Sequence, residues 1–229
     1  MAYLLLLLIL LGAVFGPGLW VRRVMERYSR PEDRYRVTGA ELARELLHGL
    51  GLGHVRVEVT EAGDHYDPDA ETVRLSPAHH GGRSLTAVTV AAHEVGHAVQ
   101  HAAGYGPLLW RQRLVRATRR TQQLGPGLLM AAPVVAGLTR APGVALLMVL
   151  GGLLSIGSAI LVHLVTLPTE WDASFRRAMP LLERSGHLYP GDRFHARRIL
   201  TAAALTYVAQ SLASLLNFWT WFRMLVRPG

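Results

Sequence analysis

His93-Glu94-Val95-Gly96-His97 has residue types and spacing that could do hydrolytic chemistry. On a helix, residues four apart share one face, one turn apart, so both imidazoles can reach a single zinc ion at about 2.0 to 2.1 Å. Glu94 lies beside them, placed to take a proton from a water that the ion acidifies. That chemistry requires a helix, and the flanks supply one. Ser84 can cap a helix running from Leu85 to Ala103, with Ala91, Ala92, Val95, Ala98 and Val99 as packing positions and Gly104 as its stop. The competing reading of the same residues is a polar-faced helix that carries solvated histidines.

A hydrolytic zinc site has three protein ligands and one open position. His101 lies eight residues beyond His93, roughly 12 Å along a straight helix, too far to close on an ion held between His93 and His97. It is expected in a supporting role or at the surface. The next acids after Glu94 are Glu170 and Asp172, which follow an acid-free stretch from 95 to 169. Either can be a plain marker at the end of an apolar run. As part of the site, Glu170 would complete a His-His-Glu set of ligands, and Asp172 would orient His93 or His97 by accepting its second ring N–H.

The elements that must position these groups fall into polar and apolar blocks. Residues 22–123 hold 15 Arg and 12 Asp or Glu, and are read as a water-exposed α+β module. Within it, Thr38 and Glu41 have capping-box spacing before Leu42, Leu46 and Leu47. His54 to Glu61 alternates as a strand does, Asp64 to Asp69 has loop composition, and Thr72 to Ser76 makes a second short strand. Around the module lie uncharged runs: 3–21, 124–139, 141–169 and 199–222. Taken as membrane spans, they predict a mainly α protein, a membrane helical bundle of about four spans with a small zincin-like module that carries the HExxH helix. The predicted organisation is an anchor over 1–21, the module over 22–123, a transmembrane hairpin over 124–169, a segment with the third ligand over 170–198, and a transmembrane or interfacial helix over 199–229.

The 229 residues include 24 Arg and no Lys against 16 acids, a net charge of +8, with half the residues hydrophobic. No cysteine is present, so disulfides and thiolate metal sites are excluded. The Arg residues flank apolar runs and do not alternate with aromatics. The expected partner is therefore a lipid bilayer and not nucleic acid. Arg clusters in 22–36, 111–120 and 176–198 place both polar segments, and the active site with them, on the cytoplasmic side of a membrane crossed several times.

At these residues the chain resembles the YugP-type zinc metallopeptidases, small bacterial membrane proteins. The likeness is carried by Val90-Ala91-Ala92-His93-Glu94-Val95-Gly96-His97-Ala98-Val99-Gln100-His101, by Leu167-Pro168-Thr169-Glu170-Trp171-Asp172-Ala173-Ser174, and by Ala202-Ala203-Ala204-Leu205-Thr206-Tyr207-Val208-Ala209. It implies that the membrane is a bacterial inner membrane, and that the chain is a membrane-anchored peptidase holding one zinc ion on His93, His97 and Glu170, with Glu94 as catalytic base and a peptide or protein as substrate. More distantly the arrangement is similar to that of the gluzincins. Related membrane gluzincins carry Glu-x-x-x-Asp at the second site, whereas position 174 here is Ser and the acid is Asp172. The gluzincin likeness also implies that Val73 and Leu75 lie on an edge strand that pairs with extended substrate. A non-catalytic membrane scaffold or zinc-binding regulator that keeps the metal pocket is the rival from another class.

Overall fold

The computed structural model describes residues 2–206 and 208–209. The local signals read from the sequence turn into real caps. The Thr38 hydroxyl accepts from the Glu41 N–H at 3.1 Å while the Glu41 carboxylate accepts from the Thr38 N–H at 2.7 Å, starting helix α2 (Gly39–Gly49). Ser84 Oγ accepts from the Ala87 N–H at 3.1 Å and starts α4 (Leu85–Ala102). Before them, α1 runs over Ala2–Tyr28. Between them come three short strands, β1 (Arg56–Val59), β2 (His65–Asp67) and β3 (Thr72–Leu75), and the single turn α3 (Pro77–His80).

Two long helices follow, α5 (Gly106–Thr139) and α6 (Pro142–Trp171), joined where Arg140 takes a φ of 53°. The chain then passes into a π-helical segment, Asp172–Ala178, and a short α7 (Met179–Arg184). A last helix begins at 193 and is described through 206.

The chain divides into two compact units. One comprises residues 19–109 and 167–206. Its sheet has the order β1-β3-β2, with β1 parallel and β2 antiparallel to β3. Helix α4 lies at its centre and is buried on nearly every face. It packs on α2, on the π-helical segment, on α7 and on the sheet. The core is built from Leu42, Leu47, Val73, Leu75, Val88, Val95, Leu182, Ile199 and Leu200.

The other unit comprises 1–18, 110–166 and 207–229. In it α5 and α6 approach closely, because a Cβ at Gly125 would strike Ser155 and one at Gly152 would strike Leu129. Ala132 and Ser155 are buried there.

Two expectations need correction. Among the described residues no helix is long and apolar enough to cross a membrane, so the four-span bundle is not supported. The uncharged stretch of α5, 124–139, is only 16 residues long, shorter than the roughly 20 that a span needs. The assignment of the site to the cytoplasmic face rested on those spans and loses its basis. Most of the fourth apolar run lies outside the described residues.

The second correction concerns the sheet. β3 is the central strand, hydrogen-bonded on both sides, and Val73 and Leu75 are wholly buried. No backbone edge remains there for an extended peptide. The segment 64–69, expected as a loop, contains β2 instead, and β2 is an edge.

Candidate metal centre

Helix α4 brings His93 and His97 to one face as the spacing requires, and the end of α6 brings Glu170 to meet them. One Glu170 carboxylate oxygen, Oε2, stands 3.2 Å from His93 Nε2 and 3.1 Å from His97 Nε2. The three side chains are buried, and their ligand atoms lie within 4.8 Å of one another. Four ligands set tetrahedrally at 2.0 to 2.1 Å from an ion stand about 3.3 Å from each other. Two imidazole nitrogens and a carboxylate oxygen gathered this closely are compatible with a metal site. Burial opposes a charge on Glu170, but His97 and His93 hold its carboxyl well below the usual range, so it is ionised as a ligand must be.

The close approach of the two elements depends on Gly96. A Cβ at that position would lie 2.7 Å from the Ala173 carbonyl oxygen, in the π-helical segment. Only a residue without a side chain lets the backbone of this segment lie against α4 between the two histidines. π-helical turns are found mostly at functional sites, and here the turn carries Asp172 and Ser174 toward α4.

Glu94 is buried beside His93. Burial pushes its carboxyl up to about 7, His93 opposes the rise, the charges of Glu170 and Asp64 add to it, and a hydrogen bond from the Tyr66 backbone N–H counters it. The edge strand that borders the site is thus β2. A carboxyl poised near neutrality can take up and release a proton at physiological pH.

Of the other residues singled out in the sequence, Asp172 reaches neither imidazole. Its Oδ2 accepts from Gln100 Nε2 and from Arg177 Nε, both at 2.8 Å. His101 is bonded through Nδ1 to the Tyr66 hydroxyl at 2.9 Å, so it touches the strand that holds Glu94 and not the ligands. The groups that do touch the imidazoles were missed. His97 Nδ1 meets Gln100 Oε1 at 2.9 Å, and His93 Nδ1 meets Ser174 Oγ at 3.1 Å. Gln100 could have been found as the residue three beyond His97 on the same helical face. Ser174 had one signal, its place four residues after Glu170.

A family model described as "Putative neutral zinc metallopeptidase" matches residues 3–226. The chain belongs to that family. Among members of this zinc metallopeptidase family, the Bacillus subtilis (strain 168) protein named "Putative membrane protease YugP" is 35% identical over 218 residues, covering 94% of this chain and 92% of that protein. No solved structure matches the chain.

Proposed function

We propose that the protein is a membrane-associated zinc endopeptidase, with His93, His97 and Glu170 as the metal ligands and Glu94 as the general base. The observation that carries this reading is the convergence of three buried ligand atoms from α4 and the end of α6, with a carboxyl near neutrality beside them. Zinc bound there supplies a Lewis acid that polarises the scissile carbonyl and acidifies the attacking water. Glu94 takes a proton from that water and delivers it to the nitrogen of the leaving amine as the C–N bond breaks. His93, His97 and Glu170 would hold the ion, and Glu94 alone moves the proton. Membrane association is supported by the name of the Bacillus relative, and the substrates proposed with it are membrane-associated chains or peptides.

The test compares wild type with Glu94→Gln, measuring bound zinc and cleavage of an unstructured protein such as casein. Cleavage falls by about 10²- to 10⁴-fold in the variant while zinc is retained. Equal cleavage by both proteins removes the enzyme reading. Zinc binding without cleavage by wild type favours the regulator or scaffold.

A further inference from the structure

We infer that Gln100 and Ser174 are positioning residues that decide which nitrogen each imidazole offers to the ion. The inference rests on the metal-centre reading and adds to it a direction for every proton in the surrounding network.

At Gln100 the chemistry of its neighbours leaves a single orientation. Its amide nitrogen lies 2.8 Å from the Thr169 carbonyl oxygen and 2.8 Å from Asp172 Oδ2, and both of these groups only accept. The two N–H donors of the amide are therefore spent on them. Asp172 Oδ2 also accepts from the Arg177 guanidinium, whose Nε donates at 2.8 Å. The remaining end of the amide, Oε1, is an acceptor and faces His97 Nδ1 at 2.9 Å. An acceptor in that place requires a proton on Nδ1. Nε2, the atom that faces Glu170, is then the ring nitrogen left to a metal ion.

Ser174 imposes the same outcome on His93 by a different route. A hydroxyl has one proton to give. The Leu200 carbonyl oxygen, 3.1 Å from Ser174 Oγ, can only accept, so the proton points there. Oγ can then only accept from His93 Nδ1, which leaves Nε2, 3.2 Å from Glu170 Oε2, as the nitrogen open to a metal ion. Gln100 and Ser174 are wholly buried, so water does not compete for either bond. Both rings are thus set in the tautomer a metal needs, by groups anchored in separate parts of the chain.

The experiment is ¹⁵N-histidine nuclear magnetic resonance on the full chain, at alkaline pH without metal and again with zinc. The expected signature in both states is a proton on Nδ1 of His93 and of His97, with the zinc-dependent shift at Nε2. In Ser174→Ala the His93 Nδ1 proton signal is lost or mixed and zinc affinity, read by chelator competition, falls about 10- to 100-fold. Gln100→Leu does the same at His97, and Ser174→Thr, which keeps the hydroxyl, restores the wild-type signature. Absence of the Nδ1 proton from His93 or His97 in the metal-free wild type overturns the inference, as does zinc on Nδ1. Unchanged spectra and affinity in Ser174→Ala and Gln100→Leu overturn it as well. A chain that takes up no zinc removes the peptidase reading, while the metal-free spectrum still decides this one.

Discussion

A single carboxylate oxygen of Glu170 is shared by two imidazoles from another helix. Replacing Glu170 by Gln keeps size and polarity but removes the charge that both histidines favour. Zinc affinity is expected to fall by more than the roughly 10- to 100-fold that loss of an outer partner costs, checked by chelator competition beside a far-ultraviolet spectrum that stays native. The residue was legible in the sequence because charge is sparse: an acid that ends a stretch running from 95 to 169 without one stands out. Glu94, His93 and His97 were legible because their spacing follows directly from the helical repeat. Gln100 and Ser174 carry no charge, and the acceptors of their protons lie 69 to 72 residues away for Gln100 and 26 for Ser174, so nothing local marked them. Asp172 was read as touching an imidazole; its charge was visible, but not that Gln100 would stand between.

At the level of elements, the zinc helix was read correctly as a helix with its cap at Ser84, since capping and apolar spacing are local properties. The sheet was less legible. Strand order is set by long-range pairing, and Val73 and Leu75, which alternation alone would allow on an edge, proved to be the most buried part of it. The π-helical segment left no periodic trace, because it lasts for only seven residues. Its fit against α4 makes a sharp prediction. Gly96→Ala forces a Cβ toward the Ala173 carbonyl and is expected to destabilise the protein by about 1 to 3 kcal/mol and to weaken zinc binding at the same time. Gly157→Ala, where a Cβ meets nothing, is expected to be neutral or to stabilise by about 0.5 to 1 kcal/mol. Denaturant melts and zinc titrations of the two variants check the contrast.

In the whole molecule, residues 19–109 and 167–206 form one unit although some 57 residues of chain, 110–166, separate them. Composition showed the polar and apolar blocks but not that association, and it overstated the apolar blocks as spans. A metal that ligates groups from both stretches must stabilise their union. Zinc at about 100 times its dissociation constant should add about 2.7 kcal/mol, seen as a higher melting temperature that a chelator reverses and that His93→Ala lacks.

A second tie between the stretches is Asp192, which accepts from Arg34 Nε and Nη2 at 2.8 Å and from the Tyr35 hydroxyl at 2.5 Å. Burial opposes its charge, but Arg34 and Tyr35 hold its carboxyl below the usual range. A carboxyl lowered on folding stabilises fully above its unfolded pKa, about 4, and loses that contribution as pH falls through the folded value. Asp192→Asn should therefore be less stable than wild type by about 1.5 to 3 kcal/mol at neutral pH, with the gap closing below about pH 4 in paired thermal melts. The order of the ligands along the chain also sets a timetable. A ribosome that has made the HExxH helix has made two imidazoles with no third donor, and the carbonyl that fixes Ser174 arrives only with Leu200. Translation itself thus delays assembly of the centre until Leu200 has been made, and a product terminated before it carries the motif without the means to arm it.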